Sequence, residues 1–425
     1  MKKTLLLLAF FPIVVSAALC QEADTSSPAV AQIEQANACF DNKEYSKAIP
    51  IYRKAAAKNP DNTFGALAHY KCAKTLEVLG KYNDAISECS QSIAINPFLN
   101  DAIAYLLRGA LYEKTGKYED AVCDYNKVLL INPDNETARK RRDEILFQWY
   151  VISTNEGLSA LSSGLVAYKN GDNTSAVKDL DKAYSLFNNA RAFYLDDKTA
   201  FGMVSFIKGL KYRMAAKNFL GTIKLDGSGS DDTPQLVNAY YDLALADAYY
   251  RKALSYLKDD GLVNPLKEEK ELNDRDLVPL KSRIDKLEPG SESYTKATDL
   301  EAASIVNFDV AGDLLNAGDV DELKRILDEN KSIAASLIKS NKETAEGISY
   351  LSEAYAKLSR IFSYDLTDPE WLKANKESLS SEISACSNDI NRAKSAITDT
   401  ALADNCSGLL QSIALLQKLA EKAGG

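Results

Sequence analysis

Histidine is nearly absent from this chain: His69 is the only one in 425 residues. That excludes an H-E-x-x-H metal site and any multi-histidine zinc site. A serine or cysteine triad would have a single imidazole to draw on. Glycine (20) and proline (11) are scarce, as in chains built mainly of helix. The seven cysteines include no C-x-x-C pair, which leaves zinc and dithiol redox chemistry without their usual spacing. Neither G-x-G-x-x-G nor G-x-S-x-G occurs. The nearest approach to a phosphate loop, Gly109 to Gly116-Lys117, has six intervening residues instead of four and Tyr118 where Ser or Thr is required. Carboxylates abound, but no spacing sets two apart as an acid–base pair. The expectation is no enzyme, no cofactor and no metal. The balance of 60 Asp+Glu against 51 Lys+Arg, net −9, argues against nucleic-acid binding, which needs a basic face to release counterions.

The first residues, MKKTLLLLAFFPIVVSAALC, run from two lysines through an apolar stretch, Leu5 to Val15, to small residues. This is the layout of a secretory signal peptide, and the run is short for a membrane span. Residues 1–19 are therefore expected to be a signal peptide, and the product to be secreted or periplasmic in a bacterium. Cys20 is a candidate lipidation site, although Leu19 stands where bacterial lipoprotein signals resemble one another in carrying a small residue. No transmembrane segment is expected in the mature chain, and envelope association is a further expectation.

What is present, and repeated, is a pattern. Gly80-Lys81-Tyr82-Asn83-Asp84-Ala85 and Gly116-Lys117-Tyr118-Glu119-Asp120-Ala121 align with each other and with Tyr45-Ser46-Lys47-Ala48. Asn59-Pro60, Asn96-Pro97 and Asn132-Pro133 close the segments at the same intervals as the alanines. Glycine can take the left-handed conformation that ends a first helix. Alanine lets a second helix approach closely, and proline stops it. Pro50 is expected in the first turn of its helix, where a missing N–H is tolerated. The extra residues relative to a 34-residue period are expected in the turns between repeats.

These segments resemble tetratricopeptide repeats (TPR), in three copies within 29–134 plus a degenerate fourth over 155–187 (Gly164, Gly171, Ala176, Leu180, Ala183). The resemblance implies an all-α solenoid of helix pairs, A and B, whose A helices line a concave groove. It implies a protein or peptide partner held there by Asn37, Phe40, Asp41, Tyr70, Lys74, Glu77, Val78, Leu106, Ala110, Glu113 and Lys114. A subset of the family clamps a terminal carboxylate. Asn37 fits one clamp position, while Ile33, Ile103 and Leu107 occupy others and cannot donate a hydrogen bond. His69 falls where the family packs an aromatic, and is expected to be a packing residue.

The expected organisation is a solenoid over 29–153, a degenerate repeat-like region over 154–258, a charged linker over 259–290 with Pro265, Pro279 and Pro289, and a C-terminal helical bundle over 291–425. Residues 136–152 read as a separate helix with a basic front, Arg139 to Arg142, either a cap or a partner-docking element. Tyrosine stripes within 155–258 raise an alternative function, a pocket for a small apolar ligand. In the bundle, Leu372, Leu379, Ile383, Cys386, Ile390, Ala393 and Ile397 form one seam, and Leu402, Cys406, Leu409, Ile413 and Leu416 another. A turn near Thr398-Asp399 would bring Cys386 and Cys406 level. A disulfide there, or two buried thiols, are both open.

Overall fold

Lys43, Gly80, Gly116 and Gly171 each stand five residues ahead of an alanine: Ala48, Ala85, Ala121 and Ala176. All four have positive φ, between 63° and 80°. The residue after each donates its N–H to a carbonyl five residues back: Glu44 to Cys39, Lys81 to Leu76, Lys117 to Tyr112 and Asp172 to Ala167, at 2.8–3.0 Å. This is one turn built four times, with a left-handed residue closing the first helix and releasing the second. All four alanines are wholly buried.

The computed structural model describes residues 28–193, 197–221, 233–286, 291–364, 366, 369–397 and 399–422. The expected signal peptide and Cys20 lie outside them. The described residues are all-α, with no strand among them. They fall into two compact units divided within one helix, at 152/153.

The first unit holds α1 (Pro28–Asp41), α2 (Tyr45–Lys58), α3 (Thr63–Val78), α4 (Tyr82–Ile95), α5 (Ile103–Lys114), α6 (Tyr118–Ile131) and the front of α7 (Glu136–Lys169). Pairs α1–α2, α3–α4 and α5–α6 are hairpins that stack in order, each packing on the next. Small residues set the spacing. A Cβ on Gly109 would lie 2.8 Å from the Tyr125 ring, and Ala36, Ala73 and Ala85 are wholly buried. The extra residues fall in the loop 96–102, where Asn100, Asp101 and Ala102 have positive φ in succession, while Leu99 and Ala102 plug the gap between hairpins. Pro50 sits sixth in α2, past the first turn where it was expected. It is exposed, so the cost is one lost ladder bond and not a buried gap.

The helix expected at 136–152 does not end there; α7 runs on to Lys169. No proline interrupts 136–169, and the first strong stop is Gly171. The rear of α7 then pairs with α8 (Asn173–Phe193), where Cβ atoms on Gly157 and Gly164 would touch Phe187 and Leu180.

In the second unit follow α9 (Thr199–Leu220), α10 (Thr233–Tyr256), α11 (Asp260–Ile284), α12 (Ser291–Ala317), α13 (Val320–Leu337), α14 (Lys342–Phe362), α15 (Pro369–Ala396) and α16 (Thr400–Lys422). The linker expected over 259–290 is instead the helix α11, capped by Asp259, whose side chain accepts from Gly261 N–H. Pro265 and Pro279 both lie inside it. Nor does that segment separate two domains: one core runs from Phe201, Leu245 and Tyr249 through Phe308 and Tyr355 to Ile413. Three cations, on α8, on α9 and at the cap of α9, meet two aspartates of α12 and the capping aspartate of α13. Arg191 pairs with Asp313, Lys208 with Asp309, and Lys198 with Asp319 at 2.6 Å.

The tyrosines that raised a ligand pocket are packing residues. Tyr240, Tyr249 and Tyr250 are buried, Tyr240 and Tyr249 donate to Asp299 and Asp309, and Tyr250 meets Phe206 edge to face.

Both bundle seams are buried along their length. The disulfide is not formed: Cys386 and Cys406 are free thiols. Cys386 turns toward α14, where its Sγ lies 3.3 Å from the Ala354 carbonyl, and so away from α16. Burial pushes the two thiols up, to about 12 and about 11. Neither is therefore a thiolate at neutral pH. Iodoacetamide is expected to leave both unlabelled in the native chain and to label both in denaturant without reductant. A requirement for reductant would restore the disulfide.

Candidate functional site

The A helices α1, α3 and α5 carry the residues expected to line the groove. The structure brings several of them together. Lys114 Nζ on α5 donates to Glu77 Oε1 on α3 at 2.7 Å, tying neighbouring A helices, and lies over the Tyr82 ring. Glu113 accepts from Tyr125 OH and faces Arg141 of α7 at 3.5 Å. Leu106 and Ala110 are half-buried, while Lys74 and Asp41 are exposed. Beside them Val78 is 53% exposed.

Other expected lining residues are already committed within the fold. Asn37 accepts from Tyr52 OH at 2.6 Å, and Phe40 packs edge to face on Tyr45. Tyr70 is a correction. Only 7% of it is exposed, because Ala66, Leu99 and Ala104 close over it, and burial pushes its phenol up to about 12. Little of its surface is left uncovered.

The sequence reading missed a second feature, a buried carboxylate that recurs between A and B helices. Glu88 and Asp124 each lie three residues after the B-helix alanine. Asp124 holds Arg108 through two bonds of 2.8 Å, and Arg108 reaches back to Ser90 Oγ at 2.9 Å. Glu88 accepts from Arg53 Nε at 2.7 Å, and its other oxygen lies 2.7 Å from His69 Nδ1. Each carboxylate thus joins its own A helix to the B helix of the preceding hairpin. The shared offset from alanine was the available signal, since an acidic residue on a helix's inner face requires a partner. His69, expected as a packing residue, is mostly buried and bonded in this way. It borders an open depression of about 580 Å³ with Arg53, Pro60, Asp84 and Gln91. Among the described residues no group of side chains could hold a metal ion.

Burial pushes the Glu88 carboxyl up, but hydrogen bonds from His69 and Arg53 outweigh it and hold it below its ordinary value. A carboxylate held low adds stability above its unfolded pKa, and that stability is lost as the pH falls through the lowered value. Glu88→Gln is therefore expected to cost about 1–2 kcal/mol at pH 7. The gap to wild type should close below the ordinary 4.5. Urea unfolding across that range checks it, and a gap that persists in acid would contradict it.

Residues 102–135 match the model of the tetratricopeptide repeat family. No curated protein matches the chain. Among solved structures it is similar to the Arabidopsis OM64 TPR domain at 26% identity, over 28% of this chain and 93% of that one, TM-score 0.25. It is also similar to a TPR repeats protein of Bacteroides fragilis NCTC 9343 at 18% identity, over 60% and 99%, TM-score 0.28. Yeast Tom70 is similar at 13% identity, over 93% and 98%, TM-score 0.25. The family is generally one of non-enzymatic scaffolds, and its fold points to protein interaction. Residues 102–135 thus carry a tetratricopeptide repeat, and the hairpins on either side of them share its turn and its buried alanine.

Proposed function

We propose that this protein is a secreted or periplasmic bacterial adaptor that docks a protein or peptide partner on the A-helix face of its first unit. The carrying observation is the state of that face. Lys114 and Glu77 hold the floor in one geometry, while Lys74, Val78, Leu106 and Ala110 leave polar and apolar surface uncovered among the described residues. A rigid floor with mixed lining lowers the entropy cost of holding an extended chain. The N-terminal layout of residues 1–19 motivates export, and envelope association follows from the same segment. Among the described residues no helix is long and apolar enough to cross a membrane.

Photo-crosslinking residues placed at Lys74 and Leu106, with a control at exposed Asn126 on α6, test the reading in intact cells. A discrete adduct is expected from the first two positions and not the control. Equal adducts, or none, would overturn it. Intact mass should show the loss of residues 1–19, and a chain that keeps Met1 would refute the export half.

A further inference from the structure

The middle of α11 is short of hydrogen-bond donors. Glu269 and Asn273 stand one turn apart on its buried side, with Arg213 of α9 and Tyr250 of α10 near Glu269. All four residues are at most 2% exposed. Glu269 Oε2, Asn273 Oδ1 and Tyr250 OH are closed off from solvent and make no hydrogen bond with any described residue. Arg213 does not serve them. Its donors go to the Glu269 carbonyl, Asp276 and Tyr168 OH, and its Nε stays 3.9 Å from Glu269 Oε2. A sealed acceptor without a donor costs stability, and costs most when it is charged. The helix that bears this cost is also interrupted, since Pro265 and Pro279 each remove a ladder bond. Its apolar hold lies toward its ends, through Val263 and Leu266 ahead of the polar group and Leu280 and Ile284 behind it.

We infer that α11 is a pH-sensitive strap, closed on α9 and α10 in acid and slackened toward neutral pH by the charge of Glu269. A proton on that carboxyl removes a buried charge and supplies a donor where donors are lacking. Burial pushes the Glu269 carboxyl up from its ordinary 4.5, further than Arg213, Lys169 and Lys217 pull it down. An acid raised in the folded state holds its proton more tightly there than in the unfolded chain. Its stabilising effect is therefore present below 4.5 and lost as pH rises through the raised value, the reverse of Glu88.

The other ionisable groups around Glu269 come from three helices besides its own. Tyr168 and Lys169 belong to α7, Arg213 and Lys217 to α9, and Tyr250 to α10. Burial pushes both phenols up, so they stay neutral. Lys169 is paired with Glu268, and Asp276 with Arg213. Lys217 lies 3.9 Å over the Tyr168 ring, its ammonium pushed down by burial and by Arg213. Asp242 of α10 is pushed up to about 6 by burial alone, and so changes charge in the same range, but beside Tyr212.

Hydrogen exchange of the full chain at about pH 5 and about pH 7 tests the strap. Exchange is read as protection relative to an unstructured chain, because the chemical rate itself rises with pH. Protection of amides 266–276 should fall about threefold or more between the two conditions, ahead of α9 and α10. Glu269→Gln copies the protonated acid, with the same shape, no charge and N–H donors. It should keep at neutral pH the protection that wild type shows in acid. Glu268→Gln removes the same charge from an exposed neighbour and should leave the wild-type response in place.

Equal protection of wild-type α11 under both conditions would overturn the inference without recourse to any variant. An equal fall across α9 and α10 would do so too. So would a response that survives Glu269→Gln, which would reassign it to Lys217 or Asp242, or one that both variants abolish. A Glu269→Gln chain looser than wild type at neutral pH would show that the charge of Glu269 holds the strap and does not slacken it.

Discussion

Arg108→Ala is expected to lower the unfolding free energy of the first unit by about 3–5 kcal/mol, because it strands a buried charge. Asp124 is 5% exposed at its side chain and Arg108 18%. Both Asp124 oxygens are taken by the guanidinium, whose third nitrogen holds Ser90, and the rings of Tyr105 and Tyr112 lie about it. Burial already pushes the Asp124 carboxyl above its ordinary value against the pull of Arg108. With the guanidinium gone, the aspartate must take up a proton or pull water into the junction between hairpins. Lysine should rescue poorly, since it offers a point charge where a planar fork fits. Arg108→Met/Asp124→Leu should recover most of the loss, because apolar pairs of similar volume often replace buried ion pairs without penalty. Urea unfolding of the full chain, run as a double-mutant cycle, checks this. A single variant within 1 kcal/mol of wild type would show that the pair is idle.

Arg213→Ala should cost a similar amount, about 3–5 kcal/mol, in the second unit. Arg213 is 2% exposed. It donates to the Glu269 carbonyl and to Asp276, both at 3.1 Å, and lies 3.9 Å from the Glu269 carboxylate. Both of those acceptors and the carboxylate belong to α11, and Arg213 Nε also donates to Tyr168 OH of α7 at 3.4 Å, so this one side chain ties α9 to α11. Burial raises the Glu269 carboxyl while Arg213 opposes it, and loss of the arginine leaves an acid in the core. Native-state hydrogen exchange should show amides of 260–284 opening before those of α9 and α10. Uniform loss of protection across the second unit, or none, would contradict this role.

Arg213 also explains why α11 was not legible as a helix. Its inward positions are Val263, Leu266, Glu269, Asn273, Leu280 and Ile284, all buried. The spacing is helical, but Glu269 and Asn273 interrupt the apolar stripe. Their partners, Arg213 and the Leu243 carbonyl, are far away in sequence. Two internal prolines added a second false signal. By contrast, the paired helices of 29–134 were legible, because their determinants are local. A left-handed turn selects glycine at Gly80 and Gly116, and a close helix contact selects alanine five residues later. The continuity of α7 was hidden for the opposite reason: a helix that simply does not stop leaves no mark.

The contacts of the A-helix face were legible only in part. Position along the A helix identified Glu77, Lys114 and Glu113, and the structure joins them to one another or to α7. Position did not reveal that the loop at 96–102 folds Leu99 over Tyr70, since that loop has no counterpart in the other repeats. It also gave no hint of the Glu88 and Asp124 junctions, which depend on cations contributed by other helices.

The most direct measurement is hydrogen exchange of the full chain with and without the partner captured by crosslinking. Added protection should be confined to α3, α5 and the front of α7, leaving α2, α4 and α6 unchanged. Protection of the B helices instead, or of the second unit alone, would contradict docking on the A-helix face.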